Sequence, residues 1–180
     1  MDPSPWVVRF SSLVSSRGDV LDIACGAGRH TRLFLARGHR VVAVDRDLSG
    51  IADLADHTRL ERVEADLEAE APVALAGRRF AAVVVTNYLH RPLLPALVAA
   101  VDADGVFIYE TFSVGNERLG RPKNPHFLLR PGELLDAVRG HLRVIAYEDV
   151  IVDEPSPAAI QRVCALGPNR AVPVLPAPSD

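Results

Sequence analysis

Apolar residues along this chain fall into two alternating rhythms: short continuous runs, and stretches in which every third or fourth residue is apolar. Trp6, Val7, Phe10, Leu13 and Val14 have the second rhythm, behind Ser4 as N-cap and Pro5 at the first helical position. They predict a helix over about 5–16, ended by Gly18. "DVLDIA" then reads as a strand buried on both faces. A helix beyond Gly28 follows, with Leu33, Phe34 and Leu35 inside and Gly38 as its stop. "RVVAVDRD" is a second strand, ending at Asp45, and a helix through Ile51, Leu54 and Ala55 comes next. "LERVEAD" is a third strand, and the β-branched run "FAAVVVTN" a fourth. Pro92 opens a helix carrying Leu93, Leu94, Leu97, Val98 and Val101, before a fifth strand, "GVFIYETF".

The polar stretch Ser113–Arg130 interrupts this rhythm, and Pro131 starts another short helix. "HLRVIAYEDVIV" and "AIQRVCAL" are two closing strands joined by a turn containing Pro155 and Pro157. Strands alternating with helices imply a parallel sheet covered on both faces, and right-handed crossovers make it doubly wound. The last two strands are too close in sequence for a crossover and form an antiparallel pair. The expected fold is therefore α/β, a mostly parallel seven-stranded sheet with an antiparallel C-terminal pair. One domain is expected over residues 1–167, and the proline-rich segment 168–180 reads as an extended tail.

Composition narrows the function classes. The 180 residues suit one domain, and a formal net charge of −3 gives no global field toward nucleic acid or acidic membranes. No apolar run approaches the roughly 20 residues that span a bilayer, and "MDPSPWVVRF" does not resemble a secretory signal. Cys25 and Cys164, the only cysteines, lack metal-ligand spacing and suit a reduced interior, although spacing alone leaves a disulfide open. The expectation is a cytoplasmic protein of undetermined oligomeric state, with no nucleic-acid or membrane partner.

In open parallel sheets, ligands collect at the carboxyl ends of the strands. Asp22–Gly28, Asp45, Asp66 and Thr86–His90 all fall at or just past such ends. Gly26 and Gly28 suit either a tight strand-to-helix turn or a close approach of ligand to backbone, with free helix N–H groups beyond. Asp45 follows Gly28 by 17 positions at the end of the next strand, where a carboxylate can accept both hydroxyls of a ribose. Together they point to an adenosine-containing cofactor without naming it.

"VLDIACGAGRHT", "VVAVDRD", "VEADLE" and "FAAVVVTNYLHR", in that order, resemble the successive motifs of class I S-adenosylmethionine-dependent methyltransferases. The resemblance runs from about Val20 to Val138. It is nearest in character to the small tellurite-resistance and thiopurine-methyltransferase-like members, an impression to which "FLLRPGEL" contributes. It implies a Rossmann-like methyltransferase fold, S-adenosyl-L-methionine as cofactor and a small-molecule acceptor. By resemblance, Asp22 and the turn Ala24, Cys25, Gly26 and Gly28 hold the methionine end, and Asp45 holds the ribose. Asp66 receives the adenine amino group, with Leu67 and Arg46 against the ring. Thr86, Asn87 and Tyr88 line the sulfonium. Ala24 replaces the family's usual glycine, a departure that bears on how closely the ligand approaches there.

A nicotinamide dinucleotide fits less well, because Thr31 stands where its fingerprint needs a third glycine. A non-catalytic cofactor-binding module is the remaining alternative, since methyl transfer demands no single indispensable side chain. Tyr88 and His90 are the candidate proton acceptors for an acceptor that needs one. Cys25 reads as small-residue packing, although a helix N-terminus can lower a thiol pKa. The six histidines lack metal spacing. His39, His57 and His141 read as surface residues; His30 lies either near the cofactor carboxylate or on the helix surface. In Ser113–Arg130, Arg118, Arg121, Lys123 and Arg130 face only Glu117. That segment is either a solvated connection or a lid, anchored by Phe112 and Phe127.

Overall fold

Strand alternation sorts the apolar side chains onto two faces of one sheet. The computed structural model describes residues 2–69, 75, 77–154 and 156–174. Its strands are β1 (Val20–Ile23), β2 (Val41–Asp45), β3 (Leu60–Glu64), β4 (Phe80–Thr86), β5 (Val101–Phe112), β6 (Arg143–Val152) and β7 (Ala158–Leu166). They form one seven-stranded sheet in the order β3-β2-β1-β4-β5-β7-β6. β1 to β5 run parallel, and β7 pairs antiparallel with both β5 and β6. The expected α/β, mostly parallel sheet with an antiparallel closing pair is the one observed. Pro155 of the closing turn and residues 175–180 of the tail lie outside the described residues.

Leu21, Ile23, Val83, Val85, Phe107 and Tyr109 face one layer, which contains α3 (Leu94–Ala99) and α4 (Glu133–Val138). Their neighbours Val20, Ala82, Val84, Val106 and Ile108 face the other. That second layer is built from α1 (Pro5–Phe10) and α2 (Arg29–Ala36), through Trp6, Val7, Phe10, Phe34 and Leu35. The period of two along each strand thus makes both layers at once.

Four local expectations change. The N-terminal helix ends at Phe10 and tightens into a 3₁₀ turn over Ser11–Leu13 instead of continuing to 16. The segment through Ile51 is a 3₁₀ stretch, Ser49–Leu54, broken at Ile51, whose φ −126° and ψ 24° are non-helical. Ile51 is fully buried under the glycine corner, and seating it there bends the turn. Val101 begins β5 rather than ending a helix, and the β4–β5 register shifts between Phe80 and Ala82. His39 is buried with its ring 5.7 Å from that of Phe34, not on the surface.

Candidate cofactor site

β1 ends at Ile23, and the chain reverses over the carboxyl end of the sheet. Ala24 adopts φ +53°, a left-handed conformation that costs an alanine energy and a glycine almost none. The family's usual glycine is thus replaced where glycine would be easiest, and the alanine keeps the glycine's conformation. Gly28, at φ +72°, cannot be replaced so mildly, because an added Cβ would run into Ile51 Cγ2. The corner is held by Cys25 N–H donating to Val44 O (3.1 Å) and Gly28 N–H to Cys25 O (2.8 Å). The glycines therefore serve the tight turn, and they leave the backbone bare on its outer side.

Asp22 alternates with Leu21 and Ile23, so it points toward α2. There its Oδ2 accepts the Thr31 hydroxyl at 2.6 Å. Burial pushes its carboxyl up to about 6, against the lowering effect of Thr31 and Arg29. At the end of β2, Asp45 Oδ2 accepts Gly26 N–H (2.8 Å) and Oδ1 accepts Asp47 N–H (3.1 Å). A carboxylate offers about four lone-pair positions, so two remain without a donor from these bonds. Past β3, Asp66 takes Glu68 N–H at 2.9 Å, and Leu67 turns inward.

These strand ends surround a cavity of about 400 Å³ lined by Ala24, Asp45, Arg46, Ala65, Asp66, Leu67, Glu68, Tyr88 and Phe127. Its carboxylates suit hydroxyl and amino donors, and its aliphatic and aromatic walls suit a flat ring. A larger cavity, about 640 Å³, opens between α3 and α4 around Leu94, Val98, Ala137 and Leu142. Size does not choose between them; only the smaller one has acids at successive strand ends.

The methyl-side residues divide. Thr86 Oγ1 lies 3.3 Å from an Arg29 guanidinium nitrogen and 3.4 Å from His30 Nδ1. Asn87 is exposed at φ +54° and extends the ladder through its N–H to Glu110 O. His90 is half-buried beyond it. The Tyr88 hydroxyl is buried without a hydrogen-bond partner. Burial, then the carboxylates Glu68, Asp66 and Asp45, push its pKa up to about 12. A phenolate is therefore disfavoured at neutral pH, which weighs against Tyr88 as a proton acceptor, and the residue lines the cavity wall.

His30 is neither on the surface nor exposed to the cleft. It is buried, its Nε2 accepts Ser4 N–H at 3.1 Å, and burial lowers its pKa to about 3. Ser4 also caps α1, accepting from Trp6 N–H, and donates to Glu110 Oε1 at 2.8 Å. The N-cap seen in the sequence is therefore also a tether across the strand ends. Cys25 and Cys164 are both free, and burial pushes the Cys25 thiol up to about 12, the opposite of activation. Among the described residues no group of histidine, cysteine and acidic side chains could hold a metal ion.

The structure does not bring Arg118 or Arg121 to the cavity. Both are exposed, and Arg118 meets only the carboxylate of its neighbour Glu117, at 3.7 Å. Phe112 ends β5 opposite Ile160, away from the cavity lining. Of the two phenylalanines flanking this segment, the one that reaches the cavity is Phe127. Nothing in the local pattern singles it out, because a long-range clasp places it.

Residues 20–103 match the family model described as a methyltransferase domain. The chain has the fold of TehB from Haemophilus influenzae, with 18% identity and a TM-score of 0.70 over 89% of this chain. It spans 61% of that protein's length. It is also similar to a 1,6-didemethyltoxoflavin-N1-methyltransferase from Burkholderia thailandensis, solved with that compound and S-adenosylhomocysteine. There the identity is 21% and the TM-score 0.65, over 91% of this chain and 76% of the other. The glycopeptide N-methyltransferase MtfA, solved with S-adenosylhomocysteine, gives 21% and 0.62 over 93% and 91%. No curated protein matches the chain by sequence. Among the described residues no helix is long and apolar enough to cross a membrane.

Proposed function

We propose that the chain transfers a methyl group from S-adenosyl-L-methionine to a small-molecule acceptor in the cytoplasm. The observation that carries this reading is the cavity at the ends of β1 to β4. There Asp45 keeps two lone-pair positions free beside the glycine corner, and Asp66 and Leu67 wait at the next strand. In this reading Asp22 and the corner from Ala24 to Gly28 face the methionine end, and Asp45 binds the ribose hydroxyls. Asp66 takes the adenine amino group between Arg46 and Leu67.

S-adenosylmethionine, when bound, supplies the methyl group on a sulfonium and leaves as the thioether. The chain's own residues hold the acceptor roughly 3 Å from the methyl carbon and keep water out. Thr86 and Asn87 border that point at the end of β4, and His90 is the proton acceptor for acceptors that must lose a proton. A net charge of −3 favours a small acceptor over nucleic acid. The structurally similar proteins include a 1,6-didemethyltoxoflavin-N1-methyltransferase and a glycopeptide N-methyltransferase, which supports an acceptor other than nucleic acid.

Calorimetry with S-adenosylhomocysteine and NAD tests the cofactor, with binding expected only for the first. A methyl-transfer screen over small thiols, oxyanions, amines and phenols then tests catalysis. Heat with NAD alone overturns the cofactor reading. Cofactor binding without turnover on any acceptor makes the chain a binding module, and a salt-sensitive complex with RNA or DNA in a gel shift overturns the acceptor class.

A further inference from the structure

Phe127 is 44% exposed, yet its neighbours Leu128 and Leu129 are buried. It is the one residue of the 113–130 segment that lines the cofactor cavity, among the described residues. The backbone carbonyls on either side of it are both held by one side chain. Arg91 donates one terminal guanidinium nitrogen to His126 O (2.7 Å) and the other to Leu128 O (2.8 Å). The same guanidinium grips Glu133 through Nε to Oε1 (2.6 Å) and a terminal nitrogen to Oε2 (2.9 Å). Glu133 also accepts Arg130 N–H at 2.8 Å, which fixes the segment just beyond.

The far end of the segment is fixed independently. Asn116 is buried, accepts Ala159 N–H at 3.2 Å and donates to Pro122 O at 3.2 Å. Arg91 itself stands directly beyond the Thr86–His90 stretch. That stretch is pinned by the Tyr109 hydroxyl donating to Tyr88 O at 2.8 Å. One guanidinium therefore links the end of β4, the start of α4 and the two peptide groups that present Phe127. Only a planar fork can do this; a lysine ammonium cannot span both carbonyls and both carboxylate oxygens.

We propose that Arg91 and Glu133 form a clasp holding the Phe127 ring as a wall over the adenosine end of the cofactor cavity, so that Arg91 is a positioning residue for cofactor retention. The inference rests on the cofactor reading above. The ring's exposed edge is apolar surface that a bound adenosine would cover, so its contribution appears in the complex and not in the free protein. The clasp matters because it removes the ring's freedom before the ligand arrives, which lowers the ordering cost of binding.

The test is a double-mutant cycle read by S-adenosylhomocysteine affinity and dissociation rate. Phe127→Ala is expected to weaken binding about tenfold, mainly through faster release, with little effect on folding because the side chain is partly exposed. Arg91→Met is expected to act in the same direction, and Arg91→Lys not to rescue it. The decisive point is coupling: in the Phe127→Ala background, Arg91→Met should add almost nothing. Glu133→Gln, which keeps the side-chain shape, gives the same readout if Arg91→Met folds poorly.

Wild-type protein that fails to bind S-adenosylhomocysteine overturns the cofactor reading itself. Wild-type binding with unchanged affinity and release in Phe127→Ala overturns the clasp alone. So does an Arg91→Met effect that persists undiminished without the Phe127 ring.

Discussion

Asp22→Asn separates what this carboxylate costs the fold from what it offers a ligand. Asp22 is 2% exposed and has one side-chain partner, the Thr31 hydroxyl at 2.6 Å. Burial raises its pKa from 3.8 to about 6. Below about pH 3.8 the carboxyl is protonated in both the folded and unfolded chain, and it costs nothing. Between there and about 6 the unfolded chain releases the proton while the folded protein keeps it, so stability falls as pH rises. Above about 6 the full penalty persists; the rise from 3.8 to about 6 corresponds to about 3 kcal/mol. Asparagine keeps an acceptor for Thr31 and carries no charge. Asp22→Asn is therefore expected to match wild type near pH 4 and to exceed it by about 2–3 kcal/mol near pH 8. Urea unfolding across that range, followed by circular dichroism, measures the difference. On the proposed cofactor reading, in which Asp22 faces the methionine end, the same variant should bind S-adenosylhomocysteine about tenfold more weakly through loss of a buried counter-charge. Parallel stability curves for variant and wild type at every pH would refute the burial argument. Greater stability without weaker binding would place the methionine end elsewhere.

Asp45→Ala removes two backbone hydrogen bonds and the free carboxylate positions. It is expected to lose about 1–2 kcal/mol of stability by urea unfolding and about 1.5–3 kcal/mol of S-adenosylhomocysteine affinity by calorimetry. Ala24→Gly relieves the left-handed alanine and is expected to raise the unfolding free energy by about 1 kcal/mol. Gly28→Ala must both hold φ +72° and displace Ile51, and it is expected to cost about 2–4 kcal/mol in the same measurement.

The sheet was legible in the sequence because its causes are local. Runs of β-branched residues, each buried on both faces, can only be interior strands of a covered sheet, and their alternation with helical spacing dictates parallel order. The acids at strand ends were legible for the same reason. Asp45 ends β2, Asp66 lies two residues past β3 and Asp22 one residue before the end of β1, so a correct strand assignment puts all three near one edge of the sheet. Ser4 and Pro5 announced the first helix, because a cap is a matter of adjacent residues.

What tertiary structure alone decided is which way each side chain turns once it is there, and which part of a long loop arrives. Tyr88 and His90 are two residues apart and looked alike in the sequence. Burial of the phenol, followed by the nearby charges of Glu68, Asp66 and Asp45, sets Tyr88 apart. His30 was assigned to the cleft or the surface, and a backbone N–H from residue 4, 26 positions away, made it interior. The loop's basic residues were conspicuous in the sequence, yet they remain in solvent, where a charge is cheapest. Phe127 reaches the cavity instead, because Arg91, gripped by Glu133 42 positions away, closes on the carbonyls beside it. Periodicity records which face a residue shows to its own element; it does not record which distant side chain will meet it across the fold.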